Sequence, residues 1–217
     1  MKNEVVIKEG KWVWPKDDEA SWEGQNKTKD LYQHILPYVK EKNIMVQAGG
    51  NCGFILSHFV EHFNTVYTFE PDPINFYCLN QNVQSSNVIK LQACLGDSNK
   101  TVKVQQLVRE GRKNDIGGFH VAGPGLVPMF SIDSLKLTGC DLIQLDIEGY
   151  ELKALEGAIN TINQYKPVIC VEVFEKWLDR YGDSSTSILE FLTSLDYEAV
   201  NFNGVDKIFV HKSKLNG

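Results

Sequence analysis

Two kinds of hydrophobic pattern alternate along the chain. Short, nearly continuous apolar runs fall at residues 44–48, 66–70, 88–94, 141–146 and 167–173. Between and around them, apolar positions recur every three or four residues over 27–41, 53–63, 73–83, 151–163 and 184–195. The runs predict strands buried on both faces, and the periodic stretches predict amphipathic helices. Such alternation implies an α/β fold, a doubly wound and mostly parallel sheet with helices on both sides. The end of the chain departs from it. Tyr197–Phe202 and Lys207–His211 flank Asn203-Gly204, a hairpin signal, so an antiparallel strand pair is expected to close the sheet. Residues 1–26, with Trp12, Trp14 and Trp22, read as an irregular arm or short hairpin before a domain spanning 27–217. The tryptophans suit the edge of a core better than a pocket wall. Pro37 is expected to kink or shorten the helix over 27–41.

Residues 101–130 break the alternation. Val102, Val104, Gln106 and Val108 form a period-two segment, followed by Arg109, Arg112 and Lys113 and then by the glycine-rich stretch 117–125. A long loop in a domain of this kind is expected to lie over the carboxyl ends of the strands, where open α/β sheets bind ligands.

Candidate chemistry gathers at the ends of the five runs. The first apolar run leads into Gly49-Gly50-Asn51-Cys52-Gly53, and the second ends in Glu70. Glycine lets a backbone approach a ligand closely, a helix N-terminus offers free N–H groups, and an acid about 20 residues on can accept from ribose hydroxyls. The fourth run passes straight into Asp146-Ile147-Glu148-Gly149. One acid there could cap the next helix, but two alternate acids before a glycine point to a site. Glu172 ends the fifth run and needs a specific partner if buried. Asp97 follows the third run and either accepts from an adenine amine or holds a turn. His120, in the glycine-rich stretch, has the side chain best suited to proton transfer near neutral pH. His58 and His62 flank Glu61 in an order that is not a zinc motif, so no metal is expected.

Composition narrows the partners. The 217 residues carry a net charge of −6, with 42% hydrophobic and 23% charged residues, as in an ordinary globular protein. The acidic balance argues against nucleic acid or an anionic membrane as partner. Five cysteines without a CxxC pair read as buried free thiols, which fits a reducing compartment. The polar N-terminus does not read as a signal peptide, and a cytoplasmic protein is expected.

Taken in order, Gly49–Gly53, Phe69-Glu70-Pro71-Asp72-Pro73, Ser131-Ile132-Asp133-Ser134-Leu135 and Asp141–Glu151 with Leu155 and Gly157 resemble the FkbM-type methyltransferases. The resemblance covers roughly residues 44–175 and implies a seven-stranded sheet ending in an antiparallel pair. It further implies S-adenosylmethionine as cofactor and a hydroxyl of a sugar, glycan or small metabolite as methyl acceptor. Carried over, Gly49, Gly50, Asn51 and Gly53 would border the cofactor's methionine and ribose, and Glu70 would hold the ribose hydroxyls. Asp97 would stand near the adenine and Asp146 would face the amino acid end. Glu148 would point to the acceptor, with Glu148 or His120 as its base. Two positions depart from the family: Gln47 stands where an acid is usual and Gln144 where a lysine is usual. The pair is expected to be compensatory, with the two side chains approaching each other behind the crevice, directly or through one water. A nicotinamide-dependent oxidoreductase and a non-catalytic cofactor-binding protein are the rival readings.

Overall fold

The computed structural model describes residues 4–16, 18–107 and 118–215. A seven-stranded sheet forms its centre. In chain order the strands are β1 (Ile44–Ala48), β2 (Thr65–Phe69), β3 (Val88–Leu91), β4 (Leu142–Leu145), β5 (Val168–Glu172), β6 (Tyr197–Asn203) and β7 (Asp206–His211). Their spatial order is β3-β2-β1-β4-β5-β7-β6. The first five pair in parallel, and β7 runs antiparallel to both β5 and β6. The strand order reverses between β1 and β4, so the crevice beyond their carboxyl ends is the expected ligand position of such a sheet.

The helices are α1 (Ala20–Thr28), α2 (Leu31–Ile35), α3 (Phe54–Ser57), α4 (Pro73–Asn82), α5 (Glu151–Glu156), α6 (Ile159–Tyr165), α7 (Glu175–Leu178), α8 (Ser185–Ser194) and α9 (Lys212–Leu215). Strand residues alternate between two cores, because successive side chains point to opposite faces. Val46, Ile143, Leu145, Ile169 and Val171 pack with Leu155, Ile162, Ile188 and Leu192 of α5, α6 and α8. Met45, Leu142, Val168, Cys170 and Ile208 pack with Leu31, Ile35, Leu56 and Leu79 of α2, α3 and α4. Each central strand is therefore covered twice, which is why its sequence reads as an unbroken apolar run.

Several boundaries differ from the sequence reading. The helix expected over 27–41 is two helices, and the first begins earlier, at Ala20, inside the segment read as an arm. α2 gives way at Leu36–Tyr38 to a tight 3-10 turn containing Pro37, which has no N–H to continue the ladder. Before α1, Val5–Lys8 and Trp12–Pro15 form the hairpin. Trp14 is fully buried, Trp22 meets it edge-on at 5.1 Å, and both join Cys52, Phe54 and Cys78 in a small outer core. The helix expected over 53–63 is regular only over Phe54–Ser57. That expected over 151–163 splits at Gly157, where a Cβ would lie 2.1 Å from the Gly96 carbonyl oxygen. The split frees the start of α6 for Asp133, which accepts from the Asn160 and Thr161 amides at 3.0 and 2.8 Å.

The largest correction concerns 101–130. Val108, Arg109, Arg112, Lys113 and Gly117 lie outside the described residues. Most of the rest is not loop: Lys100–Gln106, Phe119–Pro124 and Val127–Phe130 are strands of a second sheet, with Cys94–Leu95 as its fourth member. Phe119–Pro124 pairs antiparallel with Lys100–Gln106, matching His120 with Gln105. The alternation that begins at Val102 thus finds its hydrogen-bonding partner within the glycine-rich stretch itself.

Asp133→Ala removes a helix cap whose loss typically costs about 0.5–2 kcal/mol. Urea denaturation should place the variant's stability lower by about that amount with an unchanged m-value.

Candidate active site

The site is built from the carboxyl ends of β1, β2, β4 and β5. Beyond β1, Gly49 takes a positive φ of 85°, and a Cβ on it would lie 1.9 Å from the Asp146 carbonyl oxygen. Only glycine allows the turn after β1 to press against the end of β4. The Gly49 and Gly50 amides both donate to the Phe69 carbonyl, at 3.1 and 2.9 Å, and the Asp146 amide donates to the Ala48 carbonyl at 3.1 Å. Three strand ends are thereby locked side by side. Glu70, next after β2, accepts from the Asn51 amide at 2.7 Å and the Asp72 amide at 2.8 Å. The residue is 4% exposed, and burial pushes its carboxyl pKa up to about 8 against the pull of those two amides.

The second glycine turn holds the acids after β4. Glu148 adopts a positive φ of 57° and Gly149 one of 101°. A Cβ on Gly149 would lie 2.2 Å from the Trp177 carbonyl oxygen, so the α7 segment packs directly on this turn. Arg180 donates to the Glu148 carbonyl at 3.1 Å. Glu151, 1% exposed, accepts from the Ile147 and Gly149 amides at 2.9 and 3.3 Å, while its Oε2 is buried without a partner. Burial raises its pKa to about 7. Glu151 therefore holds the loop that presents Asp146 and Glu148.

These ends open on one cavity of about 250 Å³. Gly49, Gly50, Asn51, Glu70, Asp146, Glu148 and His120 all line it. The second sheet contributes His120 and Val121, and α1 contributes Ser21, Gly24 and Gln25 from the other side. His120 has a buried Nδ1 with no hydrogen-bond partner, and burial followed by the Arg180 charge lowers its pKa from the usual histidine value. The imidazole is thus kept neutral near pH 7.

Gly53 and Asp97 stand outside the cavity wall. Gly53 has a φ of 82° and packs against Leu79 and Val83, shaping the turn into α3. Asp97 is exposed and paired with Lys100 at 2.6 Å, which together with Ser98 holds its carboxyl below the usual range despite some burial. The wall near it is formed by Ala93, Cys94 and Leu95.

Sequence reasoning missed Asp206, the α1 contribution and Tyr150, all of which line the cavity. Asp206 follows a hairpin turn and carries no local signal. It reaches the site only because β7 inserts between β5 and β6. Gln47 and Gln144 are register partners on β1 and β4 and share a face, as expected. Their amides are not hydrogen-bonded to each other. Gln47 donates to the Gly49 carbonyl at 2.9 Å and accepts from the Thr68 hydroxyl, while the Gln144 Oε1 is buried without a partner. Thr68, the neighbour on the opposite side of β1, thus satisfies Gln47 alone.

Comparison with known proteins agrees with this architecture. The profile of the methyltransferase FkbM domain matches residues 50–199. The chain belongs to the FkbM methyltransferase family. A crystal structure of methyltransferase FkbM from Methylobacillus flagellatus superposes with a TM-score of 0.53 at 19% identity, over 78% of this chain and 44% of that one. The chain thus spans less than half the length of that FkbM structure. The N-methyltransferase NodS from Bradyrhizobium japonicum, in complex with S-adenosyl-L-homocysteine, gives 0.51 at 10% identity over 90% of this chain and 91% of that one. A precorrin 8W decarboxylase from Methanobacterium thermoautotrophicum gives 0.52 at 14% identity over 85% and 89%. At these identities the likeness is one of fold. No curated protein matches the chain. No described helix is long and apolar enough to cross a membrane.

The raised carboxyls set a pH dependence. Folded Glu151 and Glu70 keep their protons up to about pH 7 and 8, whereas unfolded they release them near 4.5. The native state therefore binds more protons through that window, and stability falls as pH rises from about 4.5 toward 8. Thermal melting of the ligand-free protein should give a higher Tm near pH 5.5 than near pH 8.5. Glu151→Gln should flatten the lower part of the slope.

Proposed function

We propose that this FkbM-family protein is an S-adenosylmethionine-dependent O-methyltransferase acting on a hydroxyl of a sugar, glycan or small metabolite. One observation carries the reading: Glu70, the Gly49–Asn51 turn and the Asp146–Glu148 turn converge on one cavity at the reversal of strand order. The donor set suits the cofactor. Glu70 is a buried acceptor poised at the cavity wall, and Gly49–Asn51 bring bare backbone to the same edge. In this reading Glu70 holds the ribose hydroxyls, Gly49, Gly50 and Asn51 border the ribose and methionine, and Asp146 faces the amino acid end. Gly53 acts by shaping the turn, and Asp97 by fixing the segment after Cys94 and Leu95.

Bound there, S-adenosylmethionine supplies a methyl group on a sulfonium centre, which an acceptor oxygen can take by in-line displacement. The protein's part is to place that oxygen, exclude water and receive its proton. Glu148, held by the Gly149 turn and by Glu151, orients the acceptor hydroxyl. His120, neutral and with Nδ1 unpartnered, takes the hydroxyl proton. The five buried free cysteines suit a reducing compartment such as the cytoplasm.

Calorimetric titration with S-adenosylhomocysteine and with NAD tests the cofactor. The first should bind and the second should not. Glu70→Ala removes the acceptor for both ribose hydroxyls, so above about pH 8, where Glu70 is ionised and each such bond is worth about 1.5–3 kcal/mol, S-adenosylhomocysteine should bind at least tenfold more weakly. Unchanged affinity would remove Glu70 from the cofactor site. With an acceptor in hand, Glu148→Gln and His120→Ala should each lower kcat while leaving S-adenosylhomocysteine affinity intact, and full turnover in both would place the base elsewhere.

A further inference from the structure

Among the described residues, the charge of the cavity wall is one-sided. Glu70, Asp146, Glu148, Glu172 and Asp206 line it, and no lysine or arginine does so among the described residues. The reading above uses Glu70, Asp146 and Glu148, and leaves Glu172 and Asp206 without a task. These two are register partners on antiparallel β5 and β7, so their side chains leave the sheet on the same face. Neither makes a salt bridge with a described lysine or arginine. Asp206 is 6% exposed. Burial, then the neighbouring Asp146 and Glu148, hold the Glu172 carboxyl well above its ordinary range, and burial with Asp146 raises Asp206 to about 7.

A second observation is independent of these acids. Gln144 is 2% exposed and lines the same cavity, and its Oε1 has no hydrogen-bond partner. It lies in register with Cys170, two residues before Glu172 on the same face of β5. A buried amide oxygen without a donor costs free energy, as do buried carboxylates without a cation. The Gln144 oxygen accepts, as do both acids once ionised, and a single group with several N–H donors and a positive charge would satisfy all three together and draw the acids into their charged form.

We propose that this end of the cavity is a subsite for a protonated amine carried by the methyl acceptor, held between Glu172 and Asp206 with the Gln144 amide oxygen as third acceptor. The proposal rests on the methyltransferase reading and names its substrate class: a hydroxylated amine such as an amino sugar or amino alcohol. Position assigns the amine to the acceptor rather than to the cofactor's own ammonium. The cofactor elements are β1, β2 and the β4 turn, whereas β5 and β7 lie two and three strands from β1, roughly 10 and 14 Å along the sheet. The chemistry agrees with oxygen methylation. An amine kept protonated by carboxylates has no lone pair to attack a methyl group, so the hydroxyl reacts.

Ethanolamine is the probe and ethylene glycol its uncharged counterpart. Each is titrated at constant ionic strength into 15N-labelled protein, with and without saturating S-adenosylhomocysteine, while the backbone amides of residues 171–173 and 205–207 are followed by NMR. Ethanolamine should shift these amides saturably in both states, and ethylene glycol should not. The paired variant Glu172→Gln with Asp206→Asn should weaken ethanolamine at least tenfold and bind S-adenosylhomocysteine within threefold of the unaltered protein. At pH 8.5 it should also melt higher without ligand, because the unaltered protein loses stability there as its buried acids are forced toward ionisation. Gln144→Met, which keeps both acids, should weaken ethanolamine as well. Equal response to the two probes, or ethanolamine binding retained in the paired variant, overturns the proposal. Loss of ethanolamine binding on adding S-adenosylhomocysteine, or a tenfold loss of S-adenosylhomocysteine affinity in the paired variant, gives the subsite to the cofactor and overturns it too. If S-adenosylhomocysteine does not bind at all, the cofactor reading fails while the ethanolamine titration still reads the subsite.

Discussion

The contact between the turn after β1 and the end of β4 sets the geometry of everything around it. Parallel pairing of Ile44–Ala48 with Leu142–Leu145 brings together segments nearly a hundred residues apart in the chain. The pairing continues past both strands, because the Asp146 amide reaches the Ala48 carbonyl and Gly49 has no Cβ to strike the Asp146 carbonyl. A side chain at position 49 would force these ends apart. The turn carrying Asn51 and the turn carrying Glu148 would then no longer border one cavity. The same locking explains why Phe69 accepts from both Gly49 and Gly50, since that carbonyl fixes β2 and hence Glu70 against the turn.

Burial of carboxylates follows from this geometry and works against stability. Strand ends in a doubly wound sheet are shielded by helices and loops, so acids placed there lose water without automatically gaining a cation. Glu70 and Glu151 recover part of the loss through backbone amides, two each. Glu172 and Asp206 accept no such bonds from described residues. Sites that tolerate such groups are commonly functional, because a ligand supplies the missing partner when it binds. The lone Gln144 oxygen beside them belongs to the same account.

Two layers outside the main sheet complete the enclosure. The four-stranded sheet places His120 over the crevice, and the Tyr181 hydroxyl ties it down by donating to the Val121 carbonyl at 2.8 Å. Tyr181 also meets Tyr150 edge-on at 4.9 Å, and Tyr150 leads into α5. On the opposite side, the aromatic core of Trp14, Trp22 and Phe54 anchors α1, whose Ser21, Gly24 and Gln25 close the cavity. None of the tryptophans lines the cavity wall.

The sequence by itself determined the sheet and the acid-bearing strand ends. A strand covered on both faces must be apolar throughout, so β1, β4 and β5 announce themselves, and a polar residue at the end of such a run must sit at the crevice. Glu70, Asp146, Glu148 and Glu172 were legible for that reason, as was the closing hairpin from Asn203-Gly204. The tertiary structure alone decided what lies opposite them. Asp206 faces Glu172 because β7 inserts between β5 and β6, a choice of pairing that no local pattern encodes. Asp97 turns outward to Lys100, and Gln47 satisfies its amide through Thr68 rather than Gln144, since both matters depend on which neighbour offers the nearer partner. His120 stands on a strand instead of a loop because Lys100–Gln106 supplies the hydrogen bonds that its own segment lacks. Local sequence fixes period and polarity, whereas partners across strands are fixed only when the chain is packed.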